Sequence, residues 1–231
     1  MLKQLIYELN KAADPERTKN LSWFFKTGKG EYGEGDKFIG ITVPTLRSIS
    51  KKYQGLELND LQKLLDSEFH EYRLSALMIL RFQYGKGDLK TRTEIVKFYL
   101  KNTKRINNWD LVDLSCHYML GNYLLERDRK ILYKLARSNN LWEKRISIIT
   151  TFAFIDQKDF TDAIKISEIL LNDKHDLIHK AVGWVLREIG KKDKKTETRF
   201  LDKYYKAMPR TMLRYAIEKF SDSERKHYLT K

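Results

Sequence analysis

Arg73-Leu-Ser-Ala-Leu77, Arg145-Ile-Ser-Ile-Ile149, Lys180-Ala-Val-Gly-Trp184 and Arg214-Tyr-Ala-Ile-Glu218 share one pattern, a basic residue followed by a short run of mostly small and apolar residues. Asp110-Leu-Val-Asp-Leu114 falls between the first and the second, so the key positions 73, 110, 145, 180 and 214 are spaced by 37, 35, 35 and 34 residues. A period of about 36 is that of a helical-repeat array, in which each unit buries its apolar face only against its neighbours. At the third position after the key residue the other segments carry Ala76, Ile148, Gly183 and Ile217; only the Asp110 segment carries a carboxylate, Asp113. That segment also has Asp110 where the others have a cation, and Trp109 just before it. A repeat that departs from its own rule in three places is where chemistry is expected.

Composition agrees with an all-α, HEAT-like solenoid in one domain over residues 1–231. Three prolines and 11 glycines leave room for long helices, and the Val/Ile/Thr alternation of a β protein is missing. Helical patterns cover 2–13, 17–27, 44–53, 58–66, 69–84, 89–101, 107–125, 127–138, 141–156, 159–172, 175–191, 197–207, 210–220 and 222–229. Pro44 opens the third of these at a position where its missing N–H does no harm. The single cysteine, Cys116, rules out an internal disulfide. The first residues read as an amphipathic helix with Glu8 inside it, and no run approaches the ~18 apolar residues of a membrane span. The expectation is a cytoplasmic protein without a membrane partner or an obligate protein partner.

Several chemistries find no support. Gly28, Gly30, Gly33 and Gly35 lie in a glycine-rich loop at about 28–37, but no Gly-Lys-Ser/Thr closes a phosphate loop there and no strand precedes it; the loop reads as a connector or as a backbone-phosphate contact. The five histidines are scattered and lack metal-ligand spacing; His175 and His179 read as surface or cap residues. No metal or cofactor is expected. Trp23 reads as a core residue.

Lys and Arg number 45 against 31 Asp and Glu, a net charge of +14. Such an excess speaks to partners and not to fold, and nucleic acid is the first candidate. The placement of the cations favours it over a merely solvated surface. Arg73, Arg145, Lys180 and Arg214 hold equivalent repeat positions, so stacking the repeats would align them along one concave face as a track for phosphates.

Two tryptophan-bearing segments stand apart. In Asn107-Asn-Trp-Asp-Leu-Val-Asp113, Trp109 and Asp113 are four residues apart and share a helix face. In the segment from His179 to Glu188, Lys180, Trp184 and Arg187 recur at helical spacing as a cationic and aromatic stripe. Charged residues beside each indole argue against simple burial of these faces.

Asn108-Trp-Asp-Leu-Val-Asp113, Leu141-Trp-Glu-Lys-Arg145 and Lys180-Ala-Val-Gly-Trp-Val-Leu-Arg-Glu188, in that order, resemble the AlkD-like DNA alkylation repair family of HEAT-like glycosylases. The likeness extends over nearly the whole chain, including Gly40-Ile-Thr-Val-Pro-Thr-Leu-Arg47. The resemblance implies excision of N3- and N7-alkylated purines from double-stranded DNA, in base excision repair, without a base-flipping pocket. It implies Asp113 as the catalytic carboxylate, Trp109 and Trp184 as contacts to the lesion's sugar and backbone, and Arg145 and Arg187 as phosphate contacts. Lys180, Arg73 and Arg214 join the phosphate-binding set through their repeat phase. Phe24 stands where the family has a tyrosine, which removes a hydroxyl from the lesion side.

The chemistry is coherent on the residues alone. Glycosidic cleavage ordinarily uses two carboxyl groups, one of them to protonate the leaving group. An alkylated purine cation leaves neutral and needs no acid, so one carboxylate suffices to stabilise the sugar cation and hold the attacking water. Two other readings stand beside this one: a non-catalytic protein that recognises distorted or branched DNA by shape, and a helical scaffold for proteins.

Overall fold

The computed structural model describes residues 1–230. It is an all-α helical-repeat structure, divided into two compact units, Met1–Ser115 and Cys116–Lys231. No helix among the described residues is long and apolar enough to cross a membrane.

The first unit contains α1 (Leu2–Lys11), α2 (Pro15–Phe24), α3 (Val43–Lys52), α4 (Leu58–Leu65), α5 (His70–Lys86), α6 (Leu89–Lys101) and the short α7 (Trp109–Asp113). Its starts are written in the sequence: Asp14, Thr42 and Asp88 each accept backbone N–H groups of the first turn they cap, and Pro15 and Pro44 occupy first-turn positions. Helix α5 is the central element, with α3, α4 and α6 packed on it and Leu74, Leu77, Ile79 and Leu80 buried. At its N-terminal end the buried Glu71 carboxylate accepts the backbone N–H groups of Ile39, Gly40 and Ile41, the shortest at 2.8 Å from Gly40. This acceptor fixes the segment entering α3. Gly40 has φ +89°, and a Cβ there would lie 2.0 Å from the Asp14 carbonyl oxygen; that close approach, together with the Asp14 N–H to Ile39 carbonyl bond of 2.8 Å, seats the start of α2.

Helix α2 itself buries no residue. Trp23, expected in the core, is 74 % exposed. With no apolar stripe along α2 to aim it inward, an isolated tryptophan follows the helix face it happens to occupy.

The second unit opens with a π-helical turn, His117–Gly121, that runs into α8 (Asn122–Leu124), followed by α9 (Lys130–Ala136), α10 (Leu141–Thr150), α11 (Phe152–Asp156), α12 (Thr161–Ile169), α13 (Asp176–Lys192), α14 (Lys194–Tyr204), α15 (Arg210–Ala216) and α16 (Asp222–Leu229). Helix α13 is its core element and packs on α10, α14 and α15. Gly183 lets α15 come close: a Cβ there would meet the Met212 carbonyl oxygen and the Tyr215 Cβ at 2.5 Å each. Arg129 ties the entry of α9 to α12, donating to Asp159 at 2.6 Å and Asp162 at 2.7 Å while lying 3.8 Å over the Phe154 ring.

Two long helices expected from periodicity are broken. The stretch 107–125 divides at Ser115, whose hydroxyl donates to the Leu111 carbonyl at 2.5 Å, and 141–156 divides at Thr151, whose hydroxyl donates to the Ile148 carbonyl at 2.6 Å. In both, a side-chain hydroxyl competes with main-chain amides for helix carbonyls. The first break isolates α7 as a five-residue helix. Gly183→Ala should overpack the α13–α15 contact and cost about 1–3 kcal/mol, measured as a fall in unfolding free energy in a denaturant titration.

Candidate active site

The anomalous segment forms α7, and its geometry is set from its first turn. Asn108 caps the helix, its Oδ1 accepting the Trp109 N–H at 2.8 Å, while its Nδ2 donates to Asp36 Oδ2 at 3.1 Å. Asp110 uses one carboxylate oxygen to accept the Leu111 N–H at 2.8 Å and the other to meet His70 Nε2 at 2.8 Å. The far side of the His70 ring faces Asp36 Oδ2 across 3.2 Å, and Asp36 Oδ1 accepts from Arg73 Nη2 at 2.6 Å. Asp36, His70, Arg73, Asn108 and Asp110 are all buried. They join the end of the glycine-rich loop, α5 and α7 in one polar cluster of two carboxylates and two cationic groups.

Electrostatics follows from that arrangement. Burial disfavours the imidazolium, but the Asp110 charge and the hydrogen bonds to Asp110 and Asp36 outweigh it and raise the His70 pKa to about 9. Burial likewise works against the Asp36 carboxylate, yet the bond to His70 and the Arg73 guanidinium hold it below the usual carboxylate range. His70 therefore carries its proton at neutral pH.

Aromatic rings continue the connection. The His70 ring stacks on Phe38 at 4.6 Å and lies 5.0 Å from Phe25. Phe25 stacks on Trp109 at 5.3 Å with an interplanar angle of 18°, and Phe24 meets Trp109 edge-on at 6.0 Å. Trp109 and Asp113, at the two ends of α7, are both half-buried, and Phe24 is 53 % exposed. The first unit thus brings Phe24 and Trp109 together beside the helix that carries Asp113. Asp110, by contrast, is turned inward as an anchor.

The basic positions fare unequally. Arg73 is 3 % exposed, with its guanidinium given to Asp36 and, at 3.0 Å, to the Ser67 carbonyl. Arg145 is 5 % exposed and donates to the Leu177 carbonyl at 2.7 Å. Both are expected as phosphate contacts, yet each guanidinium is buried against protein acceptors, and stripping a buried, matched cation is costly. In the second unit, Lys180 pairs with Asp176 at 2.7 Å and Arg187 with Glu218 and Glu188, while Arg214 is exposed. Trp184 is half-buried, packed on Phe152 at 4.6 Å, with its indole N–H donating to Glu188 at 3.1 Å. His175 caps α13, as its placement suggested, accepting the Leu177 N–H at 3.1 Å.

The glycine-rich loop is a closed run of turns. Glu31 and Glu34 fold their carboxylates back onto the N–H groups of Gly28 and Gly30 at 2.9 and 2.8 Å, and near its end Asp36 enters the buried cluster.

The model of the family described as DNA alkylation repair enzyme matches residues 5–220. The chain belongs to that family. A solved structure described as a predicted DNA alkylation repair enzyme from Enterococcus faecalis superimposes with a TM-score of 0.69 at 15 % identity, over 91 % of this chain and 97 % of that one. At that identity the likeness is one of fold. No curated protein sequence matches the chain significantly.

Sequence reading missed Asp36, His70 and Asn108. Their contacts span 34, 40 and 72 residues, so no local spacing announces them.

Because the folded protein holds the His70 proton more tightly (about 9) than the ordinary value of 6.5, its stabilising contribution is complete below about 6.5 and is lost as pH rises through about 9. The melting temperature should therefore fall across that window. His70→Gln should melt lower at pH 7, by the equivalent of about 3–5 kcal/mol for breaking a buried ionic cluster, with a flatter profile through the same window.

Proposed function

We propose that this member of the DNA alkylation repair family is a glycosylase that removes N3- and N7-alkylated purines from duplex DNA, with Asp113 as its catalytic carboxylate. The observation that carries the reading is that Trp109 and Asp113 share one face of α7 and stay partly exposed, while Asp110 and Asn108 of the same segment are buried and anchored. A helix of five residues held so firmly at its start presents its last carboxylate in a fixed direction.

In the proposed reaction the bond between the sugar C1′ and the purine nitrogen breaks heterolytically. Its electron pair neutralises the cationic base, which leaves without protonation. Positive charge develops at C1′ and the ring oxygen, where the Asp113 carboxylate stabilises it electrostatically. Water then adds to C1′ and loses a proton, with Asp113 holding it as acceptor. The Trp109 face next to a cationic sugar adds about 1–2 kcal/mol where water is excluded. Trp184, as the resemblance implies, is a further contact to the DNA, and Lys180, Arg187 and Arg214 supply charge for phosphates.

The test is release of 7-methylguanine and 3-methyladenine from methylated duplex DNA. Asp113→Asn should slow release by about 10²-fold or more, an effect larger than any it has on the melting temperature. Asp110→Asn should do the reverse, costing stability through His70 and much less in rate. Unimpaired excision by the Asp113 variant would sink the role given to Asp113, and no release by the wild type would favour a non-catalytic DNA-binding role.

The logarithm of DNA affinity should fall linearly in log salt, and Arg214→Ala or Lys180→Ala should flatten the slope by about 0.9 each. Arg73→Ala should leave the slope intact and destabilise the fold.

A further inference from the structure

Trp23 and Phe24 end α2 as neighbouring exposed rings, 74 % and 53 % accessible, on a helix that buries nothing. One exposed ring alone would need no explanation, but here two large aromatic side chains adjoin at the end of one helix. Its surroundings say what kind. The exposed face around it is polar and lysine-edged: Lys19 lies one turn earlier on the same face, and the Lys26 ammonium sits 5.1 Å from the indole centroid. Lys29 is exposed on the adjoining loop, whose own Glu31 and Glu34 carboxylates are folded back onto Gly28 and Gly30 amides. Lys19, Lys26 and Lys29 are exposed, and among the described residues none of the three is in an ion pair. An apolar protein partner would ask for a contiguous apolar surface, which α2 lacks. A flat aromatic ligand joined to an anion fits both the rings and the lysines, and that ligand is a nucleotide of a polynucleotide chain.

We propose that Trp23 is a stacking platform for a nucleobase displaced from the duplex, with Lys19, Lys26 and Lys29 on the flanking phosphates, next to the candidate active site through the edge contact of Phe24 on Trp109. The inference rests on the reading of the chain as a DNA-acting enzyme, and it assigns a binding role to a residue outside the catalytic helix. Base–aromatic stacking is sequence-tolerant because every base has a π face, so the platform serves a displaced base of any identity.

The experiment compares binding to two short duplexes, one fully paired and one carrying a single unpaired 2-aminopurine. Trp23→Ala should weaken binding to the second by about tenfold and to the first by less than about twofold, and Trp23→Phe should restore most of the loss. The wild type should quench 2-aminopurine fluorescence and Trp23→Ala should not. Equal loss on both duplexes, no loss on either, or absent quenching would overturn the proposal. Trp23 is exposed, so the alanine variant should melt with the wild type. Release of 7-methylguanine, measured in parallel, separates the two readings: normal release with no Trp23 effect removes the platform alone, and Trp23-dependent binding without release removes the glycosylase alone.

Discussion

A protonated histidine between two buried carboxylates organises the first unit of this protein. His70 bridges Asp36 and Asp110, and Arg73 supplies the second positive charge. The four groups balance in charge, so the cluster avoids the cost of an unmatched buried ion while still paying to desolvate its members. What it gains is registration. The glycine-rich loop, α5 and α7 meet in one set of directional bonds, and none of the three can slide without leaving a buried charge unpaired.

The consequence reaches the catalytic candidate by two routes. One is covalent: Asp110 and Asn108 fix the first turn of α7, and Asp113 sits three residues beyond Asp110 on a helix too short to bend. The other is through rings, from His70 to Phe25 and from Phe25 to Trp109. Catalysis by a single carboxylate has little redundancy, since the stabilising charge must already point at the sugar when the bond breaks. A rigid anchor behind a partly open carboxylate meets that need, and it accounts for an aspartate, Asp110, whose place in the repeat would otherwise suggest a second catalytic acid.

The cationic excess divides into two populations. Arg73 and Arg145, both in the repeat phase, are structural, matched to Asp36 and to backbone carbonyls. Others, among them Arg214, Lys26 and Lys29, remain at the surface. The +14 charge is thus only partly a measure of what a polyanion meets.

The sequence by itself determined the helical class, the repeat period, most helix starts and the singular position of Asp113, because these depend on local quantities: apolar periodicity, capping side chains and the departure of one segment from its siblings. It also carried the family, through motifs that survive as strings. Where a local rule met tertiary packing, the sequence misled. Periodicity extended helices past Ser115 and Thr151, whose hydroxyls end them. Residue type alone places Trp23 in the core, though α2 has no apolar stripe to turn it inward. Repeat phase grouped Arg73 with the surface cations, though phase reports the direction along a helix and burial depends on what packs above it. The anchor of α7 was decided only in three dimensions, because a histidine becomes a buried cation when chain segments dozens of residues apart bring two carboxylates to its two nitrogens.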